Sequence, residues 1–81
     1  MSGAMATGWV NAGGTWYWMD ASGAMVTGWA NVGGTWYYFD ASGAMVINSW
    51  VGNYYLTGSG AMATSQWVGP WWVGSDGCWR G

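Results

Sequence analysis

In the second quarter of the chain, apolar and polar positions alternate in two short runs around a glycine pair. Trp29-Ala30-Asn31-Val32 leads into Gly33-Gly34, and Thr35-Trp36-Tyr37-Tyr38-Phe39 leads out. Aromatic and β-branched residues in such runs favour strands. A two-residue glycine link supplies the positive φ that a tight primed hairpin turn requires. Centring the turn on Gly33-Gly34 sets the register. Val32 faces Thr35, Asn31 faces Trp36, Ala30 faces Tyr37 and Trp29 faces Tyr38. Successive side chains on a strand point to opposite faces. One face then carries Trp29, Asn31, Trp36 and Tyr38, and the other Ala30, Val32, Thr35, Tyr37 and Phe39. The first quarter does the same, with Trp9, Asn11, Trp16 and Trp18 against Val10, Ala12, Tyr17 and Met19. No segment carries apolar residues at helical spacing over three turns, so no helix is predicted.

The pattern shortens further on. Trp50-Val51-Gly52-Asn53-Tyr54-Tyr55-Leu56 lacks four residues between its leading Trp and its aromatic pair. Centring the turn on Gly52-Asn53 sets Val51 opposite Tyr54 and Trp50 opposite Tyr55. Two residues lost per strand keep every side chain on its own face, where an odd slip would invert the hairpin. Trp67-Val68-Gly69-Pro70-Trp71-Trp72-Val73 repeats the short form. Gly69-Pro70 suits a type II′ turn, whose second central residue has negative φ.

Between these runs a second pattern recurs. Ser2-Gly3-Ala4-Met5, Ser22-Gly23-Ala24-Met25, Ser42-Gly43-Ala44-Met45 and Ser59-Gly60-Ala61-Met62 are copies, and Asp76-Gly77-Cys78-Trp79 is a diverged fifth. Their starts are 20, 20, 17 and 17 residues apart. Self-similarity at a short period marks a repeat array. Units this small bury no core alone and must stack on their neighbours. The chain divides into one array, residues 1–81, with long units at 2–21 and 22–41, short units at 42–58 and 59–75, and a partial unit at 76–81. Asp20-Ala21-Ser22-Gly23 and Asp40-Ala41-Ser42-Gly43 are predicted tight turns in which Asp accepts local backbone hydrogen bonds.

Composition narrows the chemistry. Ten Trp, five Tyr and one Phe make aromatics a fifth of the 81 residues, while Asp20, Asp40, Asp76 and Arg80 are the only charges. So weak a positive charge excludes a nucleic-acid footprint and a polybasic membrane patch. No apolar run is long enough to span a membrane. There is no His, Glu or Lys. The serines and Cys78 therefore have no base to activate them, and the three Asp sit in separate repeats rather than paired across a cleft. No catalytic residue, cofactor or metal site is predicted. One carboxylate per repeat makes a poor calcium site. Cys78 occupies the small-residue slot of Ala24 and Ala44 and is expected to be a filler.

The aromatic face remains. Trp9, Trp16 and Trp18 crowd one side of the first hairpin, and Trp29, Trp36 and Tyr38 one side of the second. Such a wall suits a quaternary ammonium group, held at about 0.5–2 kcal/mol per ring, or the flat apolar side of a sugar. Core packing is the competing reading, because a two-faced hairpin array must bury one face.

The run Gly28-Trp29, Gly34-Thr35-Trp36-Tyr37-Tyr38-Phe39, Ser42-Gly43-Ala44-Met45-Val46 resembles the choline-binding, or cell-wall-binding, repeat of Gram-positive surface proteins and phage lysins. The first unit matches through Gly8-Trp9, Gly14-Thr15-Trp16-Tyr17-Trp18 and Ser22-Gly23-Ala24-Met25. The resemblance spans essentially the whole chain and is looser in the last two units. It implies an all-β, left-handed solenoid of stacked β-hairpins whose ligand pockets lie between repeats. It implies phosphocholine on teichoic or lipoteichoic acid as partner, or glucan in close relatives. Carried over, Trp9, Trp16 and Trp29 with Met25 line one pocket. Trp29, Trp36 and Trp50 with Met45 line the next, and Trp18 and Tyr38 are further candidates for closing them. The short units place Asn53 and Pro70 where Trp36 stands, so their pockets are expected to lack a wall, leaving Trp50/Tyr55 and Trp67/Trp72 to packing or a weaker site.

The resulting expectation is a non-catalytic module that captures choline by cation–π contact. A glucan-binding module of the same fold and a self-associating structural repeat are the alternatives. Nucleic acid and membrane insertion are not expected. Uncapped solenoid ends invite homo-oligomers. The implied location is secreted or cell-surface attached. With no signal peptide at its start and Met1 on a repeat boundary, the sequence reads as a fragment of a larger protein.

Overall fold

A computed structural model describes residues 7–80 of the chain. The first Ser-Gly-Ala-Met copy, residues 2–5, lies outside them. Eight strands form four hairpins: β1 (Gly8–Ala12) with β2 (Thr15–Met19), β3 (Gly28–Val32) with β4 (Thr35–Phe39), β5 (Ser49–Val51) with β6 (Tyr54–Leu56), and β7 (Gln66–Val68) with β8 (Trp71–Val73). Each pair is antiparallel and forms its own two-stranded sheet. No helix occurs among the described residues. The array measures 52 × 23 × 18 Å, the elongated shape of a solenoid.

The registers follow from the turns. Trp29 pairs with Tyr38 and Val32 with Thr35. Trp50 pairs with Tyr55, and Trp67 with Trp72. In the long hairpins both turn glycines have positive φ, 63° and 89° at Gly33 and Gly34, as a type I′ turn demands. In the short hairpins only the first turn residue does, 59° at Gly52 and 57° at Gly69. That matches type II′ and leaves Pro70 at a negative φ it can adopt. The short units also carry one extra residue before their first strand. Asn48 and Ser65 occupy it at φ of 51° and 47°, and their amides donate to the carbonyls of Thr57 and Gly74, extending each ladder by one bond.

Because no strand among the described residues bridges two hairpins, the connectors join the array. The Met45 amide donates to the Trp16 carbonyl at 2.9 Å, the Met62 amide to that of Trp36 at 2.9 Å, and the Trp79 amide to that of Asn53 at 2.8 Å. Each connector thus follows one hairpin and tethers it to the hairpin before. Its next residue turns back to its own hairpin: Val46 donates to Tyr38, Ala63 to Tyr55 and Arg80 to Trp72. The recurring Gly and Met pack on each other between copies. A Cβ on Gly43, Gly60 or Gly77 would collide with Met25, Met45 or Met62 respectively. All three glycines also have φ above 80°, so both space and backbone select glycine there.

One large apolar side chain is fully enclosed in each of the last three hairpins: Phe39, Leu56 and Val73. They end the second strands of successive hairpins, on the face of Tyr37 rather than that of Trp36. The expectation of one buried and one open face needs correction. The Trp9 ring meets Tyr37 at 4.9 Å and Phe39 at 6.0 Å between centroids. The Trp29 ring likewise meets Tyr54 at 5.4 Å. The leading-Trp face of one hairpin therefore packs against the opposite face of the next, and both faces join the seam.

The inter-hairpin turns are built as their residues suggest. Asp20 Oδ1 accepts from the Ser22 amide at 2.9 Å, the Ser22 hydroxyl at 2.5 Å and the Ala24 amide at 3.0 Å. Asp40 repeats the arrangement with Ser42 and Ala44.

Candidate binding site

Among the described residues, three concavities walled by several aromatic rings open along the seam, each between a hairpin and its successor. The first, about 330 Å³, is lined by Trp9, Trp16, Tyr37, Met45 and Ser59. The second, about 340 Å³, is lined by Trp29, Trp36, Tyr54, Met62 and Asp76. The third, about 240 Å³, is lined by Trp50, Gly52, Asn53, Trp71 and Trp79.

The first two share one construction. The leading Trp and the strand Trp lie on one hairpin face two ladder positions apart, and Trp9 meets Trp16 edge-on at 6.0 Å. The next hairpin supplies a tyrosine, Tyr37 or Tyr54, from its opposite face. The connector after that hairpin supplies the methionine, placed by the hydrogen bond its backbone N–H donates to the carbonyl of the strand Trp. The seam thus delivers three rings and a thioether to one point. Trp9, Trp16, Trp29 and Trp36 keep 37–43% of their surface exposed, so these rings line clefts rather than fill a core.

The structure arranges the predicted residues differently from the expectation. Trp9 and Trp16 do share a cleft, and so do Trp29 and Trp36. The third ring is Tyr37 or Tyr54, not the next leading Trp. The methionine is Met45 in the first cleft and Met62 in the second, one copy later than expected. Met25 packs at Gly43 instead. Trp18 and Tyr38 stand edge-on behind the leading Trp, at 5.1 Å from Trp9 and 5.0 Å from Trp29, where they buttress it. Trp50 belongs to the third cleft. Tyr37 and Tyr54 carry their signal in their place on the hairpin's second face, and Met62 and Trp79 in their place in the recurring connector; each becomes a wall only once the stacking is known.

Electrostatics at the clefts are sparse. Ser59 is at the rim of the first and the Asp76 carboxylate at the equivalent rim of the second. Asp76 also pairs with Arg80 at 3.0 Å, an exposed ion pair of little stabilising value. Asp20 and Asp40, away from the clefts, are held below the usual carboxylate range, chiefly by the hydroxyls of Ser22 and Ser42 and then by backbone amides. A cleft of aromatic faces with a thioether and no cation of its own suits a compact cation or an apolar sugar face.

Comparison with known proteins converges on one family. Choline-binding repeat profiles match residues 2–50 and 44–79. No curated protein sequence matches. Among solved structures, choline-binding protein F from Streptococcus pneumoniae is 40% identical, with a TM-score of 0.85 over 94% of this chain and 27% of its own. The choline-binding domain of Spr1274 from the same organism is 39% identical, with a TM-score of 0.83 over 94% of this chain and 96% of that domain. The modular autolysin LytC of S. pneumoniae is 31% identical, with a TM-score of 0.84 over 89% of this chain and 19% of LytC. The chain thus spans about a quarter of the length of choline-binding protein F and nearly the whole of the Spr1274 domain. Two profiles that together run from the first copy of the repeat to the last, and structural matches at 31–40% identity, agree with the hairpin seam: the chain belongs to the choline-binding repeat family.

Proposed function

We propose that the chain is a non-catalytic module that holds choline head groups of teichoic or lipoteichoic acid in the clefts between hairpins, and so tethers a surface protein to the cell wall. The observation that carries this reading is the convergence of Trp9, Trp16 and Tyr37 with Met45, repeated by Trp29, Trp36 and Tyr54 with Met62. A trimethylammonium group is weakly hydrated and spreads its charge over three methyl groups. Several ring faces around it contribute about 0.5–2 kcal/mol each. One such cage binds near the millimolar range, or about 4 kcal/mol. Several cages engaging one polymer convert that weak affinity into useful avidity, because the second contact is intramolecular.

A second reading, carbohydrate binding, is favoured by one observation. Choline-binding protein F has been crystallised in the presence of a peptidoglycan analogue, a tetrasaccharide-pentapeptide. Tryptophan fluorescence separates the two. Choline should give a saturating change near millimolar concentration that Trp29→Ala blunts. A response to dextran or a peptidoglycan fragment, with none to choline, would replace the choline reading with the carbohydrate one.

A further inference from the structure

We infer, resting on the choline reading above, that the second seam holds a polar pocket beside its aromatic cleft, which takes the vicinal hydroxyls of the sugar or polyol carrying the head group. The pocket, about 500 Å³, is lined by Trp36, Met62 and Asp76 together with the hydroxyl residues Thr35, Thr64 and Ser75. The first three also line the second cleft, so the two hollows are contiguous. Their chemistry differs. The cleft offers rings and a thioether. The pocket sets three hydroxyls and a carboxylate around one indole. A hydroxyl both donates and accepts, so this set matches a neutral group rich in hydroxyls. The indole gives the apolar side of that group a surface to rest on.

Elsewhere in the array, hydroxyls serve the fold. Ser22 and Ser42 donate to Asp20 and Asp40, and Thr57 bonds with Ser59 and the Ala61 carbonyl. The side chains of Thr35, Thr64 and Ser75 make no hydrogen bond among the described residues. One Asp76 oxygen accepts from the Cys78 amide and the other from Arg80, both at 3.0 Å. Each keeps a further lone pair for a ligand hydroxyl, and the Arg80 guanidinium offsets the carboxylate charge toward an anionic linker. The pocket is also particular to this seam. Aligned on the recurring connector, the first seam has Ile47, Gly58 and Ser59 where the second has Thr64, Ser75 and Asp76. Three positions thus turn more polar together, around a tryptophan that both seams keep. The connector bonds are the same at both seams, so the fold does not demand the exchange.

The test uses three phosphocholine diesters, those of methanol, glycerol and methyl glucoside, which share head group and charge and differ in hydroxyls. In NMR titrations of the whole chain, the indole N–H signals of Trp29 and Trp36 should saturate at roughly two- to tenfold lower concentration with a hydroxylated ester than with the methyl ester, the gain from about one hydrogen bond. Those of Trp9 and Trp16 should not distinguish the three. Thr64→Ile, which restores the residue of the first seam, should abolish the preference at Trp29 and Trp36. Ser75→Gly, the other restoring change, should diminish it and serves should Thr64→Ile perturb the fold, as read by dispersion of the spectrum. A larger gain with the glucoside assigns the pocket to a sugar ring, and a larger gain with glycerol to an acyclic polyol. No preference at Trp29 and Trp36, the same preference at Trp9 and Trp16, or a preference that survives both substitutions overturns the pocket and leaves the choline reading standing. No response of any indole to any ester overturns the choline reading, and the pocket with it.

Discussion

In the long half of the array, the strand tryptophans Trp16 and Trp36 wall their clefts and the connectors bring Met45 and Met62. In the short half, the strand has contracted to a turn bearing Asn53, and the connector brings Trp79. The turns differ too. A carboxylate organises them at Asp20 and Asp40, whereas Thr57 does so at the third hairpin, donating its hydroxyl to the Ala61 carbonyl at 3.0 Å. What does not change is the backbone. The amides of Asp20, Asp40, Thr57 and Gly74 donate to Ala24, Ala44, Ala61 and Cys78 at 2.9–3.0 Å, and the connector bond recurs at each seam. The halves share one scaffold of main-chain bonds and differ in the side chains hung on it.

The largest effect that could break this comparison lies in the core. Phe39 closes the long half and Leu56 the first short hairpin, each fully enclosed. Phe39→Ala should cost about 3–5 kcal/mol and Leu56→Ala about 2–5 kcal/mol, measured by urea unfolding. A negligible loss at Leu56 would mean that the short half does not share the core. Next in size is the left-handed residue at the entry to the first strand. The long unit has Gly28, the first residue of β3, at φ of 78°, and the short one has Ser65, just before β7, at 47°. Gly28→Ala should destabilise and Ser65→Gly should stabilise, each by about 1 kcal/mol. Asn48→Gly should gain less, because Asn tolerates this conformation. Equal melting temperatures for wild type and Ser65→Gly would show that the short half bears no such strain.

The smallest effect is a pH response confined to the long half. The Asp20 and Asp40 carboxyls titrate below their ordinary value because the Ser22 and Ser42 hydroxyls donate to them. Their contribution is therefore complete above the ordinary carboxylate pKa of about 4 and disappears as pH falls through the lowered folded values. On acidification, amide protection factors, taken against the intrinsic exchange rate at each pH, should fall at Ser22, Ala24, Ser42 and Ala44 before they do at Ala61, whose turn has no carboxylate. Simultaneous loss at all three turns would erase the distinction. Asp40→Asn should remove the pH dependence at its own turn only.

The sequence made the hairpins legible because their determinants are local. Gly33-Gly34 and Gly52-Asn53 set the pairing of Trp29 with Tyr38 and Trp50 with Tyr55, and the removal of two residues per strand preserved the faces. The clefts were legible only in part, because they depend on how one hairpin is rotated onto the next. That rotation is set by the Met45-to-Trp16 and Met62-to-Trp36 main-chain bonds, which no side-chain pattern announces. The sequence therefore pointed to Trp29 as the third wall of the first cleft, when the seam brings Tyr37. It pointed to Met25, when the connector one copy later brings Met45. Trp79 was visible as the counterpart of a methionine, but its meaning required knowing that Asn53 stands across the same cleft.

The carbonyl that receives each connector belongs to Trp16, Trp36 or Asn53, the residue whose side chain varies between clefts. Attachment is thus written in the main chain and selectivity in the side chain of one and the same residue. An array wired this way can revise its ligand chemistry one unit at a time, as a keyboard can be relabelled without moving its keys. The exchange of Trp for Asn in the third unit is one such relabelling, made without losing the seam bond.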